Sequence, residues 1–157
     1  MAGDSALKIW IDADACPRAV KDLIFRASQR LQIAVVLVAD RPVARGKSPL
    51  ISTVVVPRDM DSADQHIVNK TRPGDLVVTA DLPLAAAVVG KGAIAINPRG
   101  ETYTEENVRE RLSMRDFLMS LRETGQEDLG GPSPFSRKDK ERFAAALDRF
   151  LSHRPED

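Results

Sequence analysis

Residues 33–39 (IAVVLVA) form an unbroken apolar run with no polar face, and residues 75–80 (DLVVTA) are nearly as apolar. Runs this short and this rich in β-branched residues are strands, and strands that are apolar on both sides belong inside a sheet covered on both faces. Residues 7–11, 51–56 and 93–96 are further β-rich runs. Between them the spacing turns helical: Val20, Leu23, Ile24, Ala27 and Leu31 mark a helix over about 17–31, opened by Pro17. Residues 61–70 and 82–89 read as shorter helices, the first with Asp61 as its cap. Strands alternating with helices predict an α/β fold, three layers (α/β/α) around a mainly parallel sheet of about five strands. Residues 104–124 and 137–152 add C-terminal helices, separated by a Gly/Pro/Ser stretch at 125–136. At 157 residues the chain makes a single domain, with a core over about 7–124.

Composition narrows the function classes. The 23 basic and 23 acidic residues cancel, so net charge gives no sign of a polyanionic partner. Cys16 is the only cysteine, which excludes an internal disulfide and a multi-cysteine zinc site. No apolar run approaches about 18 residues and no charged-then-apolar leader opens the chain, so no membrane partner and a cytoplasmic location are expected. There is no glycine loop of the Walker or dinucleotide type, so a nucleotide cofactor is not indicated.

In an open parallel sheet, sites form at the carboxyl ends of the strands, where strand order reverses. The residues there are Asp12 and Asp14 after the first run, Asp40 after the second, Asp81 after the fourth and Asn97 after the fifth. Asp61 and Asp64 open the helix that follows the third. Carboxylates gathered at one edge raise each other's pKa values unless a cation neutralises them, and oxygen-only ligands suit Mg²⁺ or Mn²⁺. Such ions activate water and clamp phosphodiester oxygens. Asp12 and Asp14, two apart on an extended segment, would share a face, as would Asp61 and Asp64, three apart on a helix.

Each of these residues taken singly also has a structural reading. Asp14 can support the first helix, Asp61 and Asp81 can cap helices, and Asp40 opens an Asp-Arg-Pro turn. Asp75 precedes its strand, at the opposite edge, and reads as a turn residue. Cys16 reads better as a small buried thiol than as a nucleophile. Arg99 either binds a phosphate or shapes a turn, and residues 137–142 (RKDKER) read as a solvated helix face.

The segments Ile11-Asp12-Ala13-Asp14-Ala15-Cys16-Pro17, Ser62-Ala63-Asp64, Asp75-Leu76-Val77-Val78-Thr79-Ala80-Asp81-Leu82-Pro83-Leu84-Ala85 and Asn97-Pro98-Arg99-Gly100-Glu101 resemble the YaiI/YqxD family of uncharacterised bacterial proteins. Tyr103-Thr104, Arg115-Asp116 and Gly130-Gly131-Pro132 continue the match over nearly the whole chain. The resemblance implies a PIN-like fold, a grouping that contains many metal-dependent ribonucleases. It places metal-holding roles on Asp12, Asp64 and Asp81, with Asp14 and Asp61 as additional participants. Two departures stand out: the first strand ends in Asp-Ala-Asp-Ala-Cys-Pro rather than a single Asp followed by small polar residues, and Leu129 precedes the glycine pair where a Thr is expected.

The leading expectation is therefore a Mg²⁺- or Mn²⁺-dependent nuclease acting on RNA. Asp12, Asp14, Asp64 and Asp81 are its catalytic candidates, and Asp61, Asn97 and Arg99 are its substrate-binding candidates. Arg18, Arg41, Arg45 and Lys47 are candidates, with Arg99, to line a basic groove nearby. The alternatives are a non-catalytic PIN-like module that binds RNA or protein and, less favoured, an aspartyl-phosphate phosphatase. In the phosphatase Asp12 would be the nucleophile and Asp14 the general acid, supported by Thr79 and Lys91. Oligomeric state is left open.

Overall fold

Ile9 and Ile11 face one side of the first strand and Trp10 the other, and all three are buried. The same alternation runs through the neighbouring strands. Val35, Leu37, Leu76 and Val78 join Ile9 and Ile11 in one apolar cluster, while Val36, Val38 and Val77 join Trp10 in another. A sheet apolar on both faces must be sandwiched. The computed structural model describes residues 6–59, 61–123 and 133–154. In it β1 (Lys8–Asp12), β2 (Ala34–Ala39), β3 (Ile51–Val55), β4 (Leu76–Val78) and β5 (Ile94–Ile96) lie parallel, and β6 (Thr102–Tyr103) pairs antiparallel to β5. The order is β3-β2-β1-β4-β5-β6.

α1 (Arg18–Leu31) and α5 (Arg137–Ser152) pack on the Ile9 face, through Val20, Ile24, Phe143 and Leu147. α2 (Ser62–Lys70), α3 (Leu82–Gly90) and α4 (Glu105–Glu123) contribute Ile67, Leu84, Val88 and Val108 to the Trp10 face. The result is the three-layer α/β/α arrangement expected. Because the chain leaves β1 toward β2 and leaves β4 toward β5, strand order reverses between β1 and β4. In an open parallel sheet such a reversal marks where ligand sites form, at the carboxyl ends of the two strands.

Three local expectations change. A sixth strand is present because two residues suffice to pair with β5 across a tight turn. α1 begins at Arg18, with Pro17 just outside it. Residues 137–142 are not simply a solvated face. Asp139 is 6% exposed, and its carboxylate and the Ser136 side chain form a reciprocal capping box at the start of α5. Gly130-Gly131-Pro132 and most of the Gly/Pro/Ser stretch lie outside the described residues.

At the opposite, amino edge of the sheet, Asp75 is buried and collects three N–H donors. The Lys8 amide donates at 2.9 Å, the Arg72 amide at 3.0 Å and the Trp10 indole Nε1 at 3.0 Å. The expected turn residue is thus a buried strut that ties β1 to the entry of β4.

Candidate functional site

Side chains alternate along a strand, so Asp12 projects to the face of Trp10, and Thr79, just beyond β4, projects to the face of Val77. Both therefore point toward α2 and α3. The Thr79 hydroxyl donates to Asp12 Oδ2 at 2.9 Å and accepts the Asp81 amide at 3.0 Å. Asp81 then caps α3, its Oδ1 accepting the Leu84 amide at 2.9 Å. This short chain of bonds fixes Asp12 and Asp81 relative to each other across the point where strand order reverses. Asp64 approaches from the first turn of α2.

The proximity of these groups shapes their electrostatics. Burial is the main cause that raises the Asp12 carboxyl above its ordinary range. The Thr79 hydrogen bond opposes it, and the Asp81 and Asp14 charges add to it. Asp64 is pushed up to about 6, first by burial, then by the charges of Asp81, Asp12 and Asp61 and by a hydrogen bond with the Asp81 side chain. Burial and mutual repulsion thus both favour the protonated forms of these carboxyls.

An oxygen-only, mutually repelling donor set drawn from three elements fits a hard divalent cation. It is not a closed cage: among the described residues no three His, Cys, Asp or Glu side chains already stand in metal-holding geometry. Mg²⁺ accommodates this, because it is commonly held by one or two carboxylates and completes its shell with water and substrate phosphate.

The other candidates are placed as follows. Asp14 does not share an extended segment with Asp12, since residues Ala13–Ala15 form a 3₁₀ turn. Its Oδ2 accepts the Asp40 amide at 3.1 Å, and the residue is exposed. Asp61 occupies the N-cap position of α2 but makes no capping bond. Asp59 caps instead, accepting the Asp61 and Ser62 amides and the Ser62 hydroxyl, which together hold its carboxyl below the usual range. The Asn97 side-chain oxygen accepts the Arg99 and Glu101 amides, and its amide donates to the Tyr103 hydroxyl. Arg99 pairs with Asp139 at 2.9 Å and also donates to the Ser133 carbonyl.

The expected basic groove is partly committed to local contacts. Arg41 lies 3.5 Å from Asp40, which Arg58 also pairs with, and Arg45 donates to the Ile51 carbonyl. Cys16 is buried, and burial pushes its thiol up to about 12, the state of an inert structural cysteine. Lys91, the supporting lysine of the phosphatase alternative, follows the C-terminus of α3 and donates to the Val68 carbonyl. That end of α3 lies away from Asp12.

Thr79 is the positioning residue that the strand-end rule did not single out, although its place directly after the apolar run of β4 was the available signal. Asp59 and Asp139 were missed because capping depends on side-chain rotamers, which spacing does not encode.

The model of the family described as "Uncharacterized BCR, YaiI/YqxD family" matches residues 10–153. The chain belongs to this family. A UPF0178 protein of Geobacter sulfurreducens is 57% identical over 145 residues, covering 92% of this chain and 96% of the relative. UPF0178 proteins of Cronobacter sakazakii and Bordetella avium are 51% and 52% identical, over 94% and 93% of this chain and 97% and 94% of theirs. No solved structure matches.

Proposed function

We propose that this family member is a PIN-like, Mg²⁺- or Mn²⁺-dependent nuclease that acts on RNA. Three carboxylates from β1, α2 and the entry of α3 carry this reading. They converge where strand order reverses, and burial and mutual repulsion hold two of them toward their protonated forms. The choice of RNA rests on the resemblance to PIN-type nucleases. Asp12, Asp64 and Asp81 would hold the ion, which supplies activation of water and neutralisation of charge on the phosphodiester oxygens.

The chain's own groups do the rest. Thr79 orients Asp12 and, through the Asp81 amide, sets the spacing of the pair. Asp64, as a ligand, would release its proton when the ion binds, and Asp14 or Asp61, outside the ligand set, would orient the attacking water. Asp14 stands beside Asp12 and adds to the negative field.

A second reading, a non-catalytic PIN-like module for RNA or protein, is favoured by the lack of a ready-made three-ligand set among the described residues. Calorimetric titration of chelator-stripped protein with Mn²⁺, beside an Asp12→Asn/Asp81→Asn variant, separates the two. The nuclease reading expects saturable binding and Mn²⁺-dependent RNA cleavage, both lost in a variant that still folds. A folded wild type that neither takes up Mn²⁺ nor cleaves RNA with Mn²⁺ present would leave the binding module in its place.

A further inference from the structure

Away from the acidic cluster, the loop between β5 and β6 meets α5 in a groove of about 600 Å³. Arg99, Arg111, Arg142 and Arg149 line it, together with the carboxylates of Glu101 and Asp139. In a chain of zero net charge, four guanidinium groups facing two carboxylates make a local excess of positive charge. The pairing shows where the excess lies. Asp139 is shared, 2.9 Å from Arg99 and 3.8 Å from Arg142, and Glu101 pairs with Arg111. Arg149 makes no ion pair among the described residues.

Gly100 sits at φ 94°, and a Cβ there would come within 2.5 Å of the Arg142 carbonyl carbon, so the loop and the α5 backbone are in direct contact. Ala146 and Arg149 also line a second cavity of about 370 Å³, whose other walls include Ile94, Ile96 and Phe150. This apolar shelf exists because α5 leaves the β5–β6 margin of the sheet partly uncovered.

We propose that this paired cavity binds one nucleotide unit, its phosphate on Arg142 and Arg149 and its base on the apolar shelf. Guanidinium groups suit phosphate oxygens, and an apolar wall accepts any base by its flat face. Each cavity falls in the range of small-ligand sites. The preference for a nucleotide over another aryl or alkyl phosphate rests on the nuclease reading, whereas the anion site does not depend on a metal.

The test is titration of the full chain with AMP in chelator, with inorganic phosphate, adenosine and octyl phosphate as companions. AMP should saturate the wild type and bind at least about tenfold more weakly to Arg142→Gln/Arg149→Gln. Phe150→Ala should weaken AMP while leaving inorganic phosphate unchanged. The assignment is overturned if folded wild type shows no saturable AMP binding, if the arginine variant binds AMP as tightly, or if octyl phosphate matches AMP. Mn²⁺ titration of the same samples separates the two proposals. Mn²⁺ uptake without AMP binding removes only the groove. AMP binding without Mn²⁺ uptake or RNA cleavage removes the nuclease reading and leaves the groove standing.

Discussion

Asp75 and Asp12 lie on the same face of the sheet, at opposite ends, with Trp10 between them, and their surroundings are opposite in kind. Asp75 is 3% exposed and surrounded by donors: two backbone amides and an indole N–H converge on it. Asp12 receives one hydroxyl and otherwise meets carboxylates. A buried carboxylate with its acceptor sites filled is a structural part. Carboxylates that face one another with no cation are an arrangement that burial and repulsion both oppose. In the proposed reading a bound cation would offset both.

The comparison is broken most sharply at the amino end. Asp75→Ala strands the buried Trp10 N–H and two amides, so it should cost about 3 kcal/mol of stability, read by urea denaturation. Where the variant remains folded it should take up Mn²⁺ like the wild type. At the other end the expectation reverses. Asp12→Asn or Asp64→Asn should leave metal-free stability equal or higher, because a repelling charge is gone. Calorimetry should show Mn²⁺ affinity lower by about a hundredfold or more, beyond what loss of an outer orienting contact costs. Equal Mn²⁺ affinity in Asp64→Asn would remove α2 from the site.

Thr79→Val comes next in size. The hydroxyl joins Asp12 to the Asp81 amide, and losing it frees the Asp12 rotamer without removing a ligand. Mn²⁺ affinity should fall about tenfold, the scale of lost orienting contacts at metal sites. Thr79→Ser keeps the hydroxyl and should restore most of it, whereas a mere packing role for Thr79 would leave Val the better tolerated substitution.

These contrasts show which parts of the molecule were legible in the sequence. The sheet was, because IAVVLVA and LVV admit no other fate, and the α/β alternation follows from the amphipathic spacing after each strand. Asp12, Asp64 and Asp81 were legible as strand-end and helix-start positions, a matter of topology alone. β6 was not, since two residues carry no periodicity. Nor was the division of labour between Asp61 and Asp59: both precede α2 and both are chemically able to cap, and only rotamers and loop geometry give the cap to Asp59. Asp75 shows the same limit. Its sequence neighbours announce a turn, while the Trp10 indole that makes it a strut lies 65 residues away. Arg99 was legible as a loop arginine; that Asp139 would hold it could not be read from a mixed-charge run.

The smallest expected effect is a pH dependence whose sign separates the two kinds of carboxylate. Asp64 titrates at about 6 in the folded chain and at about 4 when unfolded, so between those values the folded state holds a proton that the unfolded state has released. Stability in chelator should therefore decline as pH rises from about 4 to about 6 and level off above, with a slope moderated because Asp64 is only partly buried and water screens it. Asp139, held low by Ser136 and Arg99, works the other way: its contribution is present above about pH 4 and is lost as pH falls further. Urea unfolding of the wild type and Asp64→Asn across this range isolates the first effect, which the variant should abolish. Saturating Mn²⁺ should abolish it too, since a bound cation favours the ionised carboxyl, and apparent Mn²⁺ affinity should climb through the same interval. A decline that survives in Asp64→Asn would assign the proton to Asp12, whose carboxyl burial also raises. A decline that Mn²⁺ leaves untouched would mean the carboxylates repel one another without holding an ion, and the two ends of the sheet would then differ in comfort but not in function.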